Sequence, residues 1–216
     1  MAVKKLDEHV NWRSDDMQDP SVWTVTLTRE DQAELHQALT HATSVSRDVL
    51  EIGRDDFPLE GFADKLRQMD HELLHGRGFV RLSGLDGDRY SDEELSLIYW
   101  GIGMHLGDPW PQNKHGHVLG DVIDQGKHIS DPTGRGNEYG AIALDFHTDG
   151  SDFVGLMCLH EAKSGGLSLI ANAVAIHNHM VETRPDLTEV LYQPIPWDFR
   201  GEEQPGTAPY LSLIHI

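Results

Sequence analysis

The sequence is poor in cysteine, in basic residues and in long apolar runs, and each shortage excludes a class of protein. A single cysteine rules out an internal disulfide and a zinc cluster built on cysteines. Only 17 Lys and Arg stand against 36 Asp and Glu, and the formal charge of −19 argues against binding to nucleic acid or to an anionic membrane. No apolar run approaches the roughly 18 residues of a membrane span.

The remaining composition is typical of a folded globular protein. The chain has 216 residues, of which 38% are hydrophobic and 25% charged, and this length suits one domain or at most two. The first residues are basic but are not followed by the apolar stretch of a signal peptide, so we predict a cytoplasmic protein. Histidine is abundant, with 14 residues, which directs attention to metal sites.

The first half of the chain predicts a pattern of helices with two short strands. Alternation over 23–27 and the apolar run at 79–82 each indicate a strand. Helices are predicted after Thr28, over 62–75, and after Ser91, where Ser91 and Glu94 form a capping-box pattern.

The second half of the chain differs from the first in amino-acid composition. Residues 107–140 are rich in Gly, Pro, Asp and Asn, and 107–137 could form a loop over a site. Three short strands are predicted next, at 139–146, 152–160 and 167–172. A helix is predicted after them, over 173–184. We therefore expect a mostly β domain with flanking helices, either a sandwich or a barrel.

The segment from His71 to His75 matches the H-E-x-x-H pattern of zinc metalloproteases. The longer form of that pattern needs a third histidine where this chain has Arg81. At about 100° per residue, both histidines fall opposite the apolar stripe that includes Leu66, on the side facing water. We favour two surface histidines and keep a zinc hydrolase using His71, Glu72 and His75 as an alternative.

A second sequence pattern is more informative about chemical function. His147 and Asp149 lie two residues apart at the end of a predicted strand, so both side chains should point to the same face. An imidazole and a carboxylate so placed supply two of the three ligands in the 2-His-1-carboxylate site of non-haem Fe(II) oxygenases. Alone, the tripeptide is also compatible with a structural His–Asp pair at a turn.

The surrounding residues strengthen the oxygenase interpretation. The segment Phe146-His-Thr-Asp-Gly-Ser-Asp152 is followed by the apolar 154–159 and by Ser164-Gly-Gly-Leu-Ser168. In order and spacing, 22–210 resembles the TauD/TfdA family of Fe(II)/2-oxoglutarate-dependent dioxygenases.

The resemblance implies a double-stranded β-helix, or jelly roll, in which His147 and Asp149 bind Fe(II) and the Ser168 hydroxyl helps to hold 2-oxoglutarate. It also implies hydroxylation of a small organic substrate by O₂, with release of succinate and CO₂. Further pocket residues suggested by position are Thr148, Asp152 and the pair Gln112 and Asn113. The expected partner is a small molecule, and the sequence leaves a homo-oligomer open.

Two residues that the family uses are not identifiable in this chain. They are a distal histidine ligand and an arginine beyond it that pairs with 2-oxoglutarate. His177 and His179 come too soon and fall on a predicted helix, where we expect surface or packing roles, and we expect Arg184 and Arg200 to form surface pairs. His215 has no arginine behind it.

The last six residues offer an explanation for this gap. The segment 211–216 is what the nucleotides CTG TCT CTT ATA CAC ATC encode, a string that matches a widely used transposon-end sequencing adapter. We therefore predict a flexible segment at 1–21, a partial dioxygenase domain at 22–210 and an artefact at 211–216. Such a fragment would be inactive alone, and a non-catalytic jelly-roll binding module is the remaining alternative.

Overall fold

The structure is a computed structural model, and it describes residues 3–6, 10–111, 117–127 and 143–194, together with 196–198 and 210–212. Contacts divide the chain into two compact units. The first comprises Met1–Pro109, Gly155–Leu159 and Asn172–Tyr192, and the second comprises Trp110–Val154, His160–Ala171 and Gln193–Ile216.

Three helices form most of the first unit: α1 (Arg29–Val45), α2 (Ala63–Leu74) and α3 (Asp92–Leu106). The predicted start signals of α1 and α3 are confirmed. Thr28 and Asp31 form a capping box at α1, and Ser91 and Glu94 form one at α3, so that side chains satisfy backbone N–H groups that no helical carbonyl can reach.

The core of the first unit lies where these helices meet the loop 46–62. Leu35, Phe57, Phe62 and Ile98 are fully buried, and Trp100 donates its indole N–H to the Ile52 carbonyl at 2.8 Å. A polar contact lies nearby, in which the half-buried Lys65 donates from Nζ to both oxygens of the buried Asp31 at 2.8 and 2.7 Å. This pair joins α2 to the first turn of α1.

The two strands predicted in the first half are confirmed as a parallel pair, β1 (Thr24–Thr26) and β2 (Arg81–Ser83). Val25 lies opposite Leu82, and two further backbone hydrogen bonds of 2.8 Å extend the pairing at either end. Because a parallel pair needs a long crossover, α1 and α2 both lie between the strands in the chain.

The last part of the first unit contains α4 (Ala173–Thr183) and α5 (Pro185–Leu191). Two asparagines of this region form hydrogen bonds with the backbone of Leu6 and Val10. Asn178, which is buried, accepts from the Leu6 N–H at 2.8 Å and donates to the Leu6 carbonyl at 3.3 Å. Asn172 caps α4 and also donates to the Val10 carbonyl at 2.6 Å. These contacts attach Leu6 to the middle of α4 and Val10 to its beginning.

The expectation of a mostly β jelly roll is wrong for the residues that the structure describes. Helices dominate, and besides β1 and β2 the strands there are β3 (Pro196–Asp198) and β4 (Tyr210–Ser212), an antiparallel pair in the second unit. Of the predicted strands, 143–146, 152–160 and 167–172 are irregular, and 139–142 lie outside the described residues.

The physical reason is that apolar alternation alone does not make a strand, since a strand also needs a neighbour to pair its backbone groups. In the second unit Phe146, Leu167 and Leu169 are 69%, 88% and 75% exposed, so no burial compensates for ordering these segments. Among the described residues, no helix is long and apolar enough to cross a membrane.

Candidate functional site

His147 lies in an irregular, exposed segment of the second unit. Its Nδ1 lies 2.7 Å from the backbone oxygen of Asp145. Because a carbonyl oxygen can only accept, Nδ1 must carry the proton and donate, which leaves the Nε2 lone pair free. This is the arrangement in which histidines bind metals, one nitrogen being oriented by a backbone carbonyl and the other turned to the ion.

Asp149 follows two residues later and is also exposed. Its carboxylate is therefore accessible to a dissolved ion. The predicted pocket residues Thr148 and Asp152 are exposed as well, whereas Gln112 and Asn113 lie outside the described residues.

Ser168 belongs to the same unit and sits just after a glycine turn. Gly165 and Gly166 have φ angles of +79° and +72°, in the left-handed region that disfavours residues with a Cβ. This is why the segment carries two consecutive glycines. Ser168 itself is exposed, so its hydroxyl is open to a ligand.

The donor set fits Fe(II) in kind but not in number. An imidazole nitrogen and a carboxylate oxygen are the ligand types of the 2-His-1-carboxylate site. Within the described ranges there is no group of three or more His, Cys, Asp or Glu side chains that could hold a metal ion. The sequence places the two candidate ligands two residues apart, and their roles in binding a metal stay predictions.

Of the other histidines considered from the sequence, His177 has a local partner. On α4, His177 Nε2 lies 2.8 Å from the Tyr192 hydroxyl, and the two rings are in edge contact. His179 is exposed on the same helix. Arg184 forms the expected surface pair, donating to both oxygens of Asp186 at 3.0 and 2.9 Å, and these hydrogen bonds lower the pKa of Asp186. Arg200 and His215 lie outside the described residues.

The H-E-x-x-H segment faces water, as its helical phase predicts. α2 buries Leu66 and Met69, whereas His71 and His75 are exposed. The Glu72 carboxylate is paired with Arg77 at 3.2 Å, so the residue that would act as general base in a metalloprotease is engaged elsewhere.

The first unit also has an open cavity of about 360 Å³ against α2. Its lining combines charged and apolar side chains and includes Arg54, Asp70, Leu66 and His105. None of the residues predicted to bind iron or 2-oxoglutarate lines it, so the cavity does not support the predicted site.

The sequence is similar to known proteins over most of its length. The family model described as "Taurine catabolism dioxygenase TauD, TfdA family" matches residues 25–211. The chain is 31% identical to the FR-33289 synthase of Streptomyces rubellomurinus over 199 residues, which are 92% of this chain and 58% of that protein. It is 30% identical to the taurine hydroxylase-like protein SAT17 of Stachybotrys chartarum over 214 residues, or 95% of this chain and 56% of that protein. The chain thus spans less than three-fifths of the length of either relative.

Proposed function

Because this chain belongs to the TauD/TfdA dioxygenase family, we propose that the whole protein is an Fe(II)- and 2-oxoglutarate-dependent dioxygenase that hydroxylates a small organic substrate and releases succinate and CO₂. The observation that carries the proposal is that the family match includes the three residues predicted to form the site, His147, Asp149 and Ser168. When bound, iron with 2-oxoglutarate would supply the activation of O₂ for attack on a C–H bond.

In this proposal the residues have separate tasks. His147 binds through Nε2, since Nδ1 is committed to the Asp145 carbonyl at 2.7 Å, and that hydrogen bond orients the ring. Asp149 adds a negative oxygen ligand that offsets part of the ion's charge. Ser168 donates its hydroxyl to a carboxylate oxygen of 2-oxoglutarate, at a position set by the Gly165–Gly166 turn.

The third protein ligand and the arginine for 2-oxoglutarate are proposed to lie outside the described residues. The relatives are much longer than the matched region, so we propose that the natural protein continues past Tyr210 and that its remaining residues supply both groups. On this basis the 216-residue chain alone should bind iron weakly and turn over no substrate. A cytoplasmic location and a homo-oligomer stay predictions.

The proposal is tested with the complete natural reading frame. Succinate formed from 2-oxoglutarate is measured with Fe(II) and O₂ for the parent protein and for the variants His147→Ala and Asp149→Ala. We expect each variant to lose this activity, because an ion with one protein ligand fewer is held weakly. His41→Ala is the matched control, since His41 is exposed on α1 and should leave turnover unchanged.

Two results would contradict the proposal. Undiminished succinate formation in either variant would exclude that residue as a ligand. Full activity of the 216-residue chain would show that the site is completed locally, for example by His177 or His179, and that no further ligand is needed. Ser168→Ala gives a finer test, because loss of a co-substrate contact should raise the KM for 2-oxoglutarate.

A further inference from the structure

The end of α2 presents two imidazole rings on the same exposed face. His71 and His75 are four residues apart, and the His75 N–H donates to the His71 carbonyl at 2.8 Å, so helical geometry sets their spacing. Their ring centroids are 5.5 Å apart and their planes are inclined by 66°. Both side chains are exposed and open to a solute.

This separation is close to that of two histidines sharing one metal ion. Zinc–nitrogen bonds are about 2.0–2.1 Å long, and at a tetrahedral angle two imidazoles on one ion hold their centroids about 5 Å apart. The observed separation of 5.5 Å is within about 1 Å of this value. The end of a helix also carries partial negative charge, which favours a bound cation there.

The neighbouring residues decide what kind of site this can be. Glu72 is paired with Arg77 at 3.2 Å, so it is not available as a third ligand or as a base. In the part of the chain that the structure describes, no third His, Cys, Asp or Glu completes a cluster. A metal ion bound here would keep water at its remaining coordination positions. Its affinity would be that of an ion held by two imidazole ligands.

We infer that His71 and His75 form a surface site for a divalent transition metal such as Zn²⁺, Ni²⁺ or Cu²⁺, separate from the proposed iron ligands and without hydrolytic activity. Affinity should follow the usual order, with Cu²⁺ bound more tightly than Ni²⁺ or Zn²⁺. The inference depends only on the geometry of α2 and stands whether or not the protein is a dioxygenase.

The test follows each histidine separately, because the chain contains 14 of them. The protein is treated with diethylpyrocarbonate over a NiCl₂ titration, and carbethoxylation is quantified for each histidine by mass spectrometry. We expect Ni²⁺ to slow modification of His71 and His75 at least fivefold, with the same midpoint for both. His36 and His41 are internal controls: both are exposed on α1, but five residues place them about 140° apart, too far round the helix to share an ion.

Variants make the result decisive. In His71→Ala, the midpoint for protection of His75 should rise at least tenfold, because one imidazole remains where two acted together. In His147→Ala, protection of both residues should be unchanged. The inference is overturned if Ni²⁺ fails to protect the two histidines together, or if His75 is protected equally well without His71. Circular dichroism of each variant checks that α2 remains folded.

Discussion

Replacing Gly101 with alanine should destabilise the first unit, although alanine is the better helix former. Gly101 lies inside α3 against Phe57, which is fully buried. A Cβ at this position would lie 2.5 Å or less from ring carbons Cγ, Cδ1 and Cδ2 of Phe57, whereas carbon atoms in contact are about 3.5–4.0 Å apart. The ring would therefore have to move by about 1 Å or more.

Phe57 has little freedom to make that movement. Its carbonyl accepts a hydrogen bond from His105 Nε2 at 2.7 Å, which ties this loop to the last turn of α3. Overpacking a core costs about 1–3 kcal/mol, and disturbing that hydrogen bond adds about 1 kcal/mol. The gain in helix propensity from glycine to alanine is only about 1 kcal/mol. We expect a net loss of about 2 kcal/mol in the free energy of unfolding.

Gly103 provides the matched control in the same helix. An added Cβ there meets no atom within 4 Å, so Gly103→Ala should stabilise the protein by about 0.5–1 kcal/mol. The assay is urea unfolding followed by the fluorescence of tryptophan, including the buried Trp100 in the same helix. If Gly101→Ala proves as stable as Gly103→Ala, the close packing of Phe57 on α3 is refuted.

Two further predictions concern polar contacts of the first unit. Burial raises the pKa of Asp31, but hydrogen bonds from Lys65 and from the backbone outweigh it, so the pKa lies below its ordinary value. Asp31→Asn should cost about 2–3 kcal/mol near pH 7. This cost should shrink as the pH falls below about 4, because the carboxyl of the unfolded parent chain is protonated first and that of the folded chain only at lower pH; urea unfolding across pH measures both. Asn178→Ala should cost about 1–3 kcal/mol and speed hydrogen exchange at the Leu6 amide, because its two hydrogen bonds to Leu6 are lost; unchanged exchange would contradict the contact.

The helices of the first unit could be predicted because their signals are local. A capping side chain three residues before its partner, as with Ser91 and Glu94, acts on backbone groups within one turn. The apolar residues of α2, which include Leu66 and Met69, lie on one face of the helix. The helix can therefore be predicted without knowing which surface that face packs against. The same reasoning correctly placed His71 and His75 on the exposed side of α2.

Strand pairing and long-range anchors could not be predicted in the same way. The alternation at 23–27 and the run at 79–82 predict two strands, but nothing in either segment specifies that they pair in parallel across two helices. The prediction of strands at 152–160 and 167–172 is wrong, because alternation of apolar residues does not specify which segment a strand pairs with. The hydrogen bond between Leu6 and Asn178 joins residues 172 positions apart, and no local sequence pattern at either residue predicts it.

For the candidate site, sequence supplied the residues and the structure supplied one detail of their chemistry. The His-x-Asp pattern names His147 and Asp149, and the resemblance adds Ser168. The structure adds that His147 Nδ1 is committed to a backbone carbonyl, which leaves Nε2 for a metal. The remaining ligand set could not be derived, because within the described ranges no third donor joins this pair.

The most direct test of the proposed function is an anaerobic titration of the complete protein with Fe(II) in the presence of 2-oxoglutarate, followed by the absorption of the iron–2-oxoglutarate chelate. We predict one chelate per chain in the parent protein, and a loss of at least tenfold in iron affinity for His147→Ala and for Asp149→Ala. His41→Ala should titrate like the parent. Equal iron binding by the parent and both site variants would contradict the assignment of His147 and Asp149 as ligands.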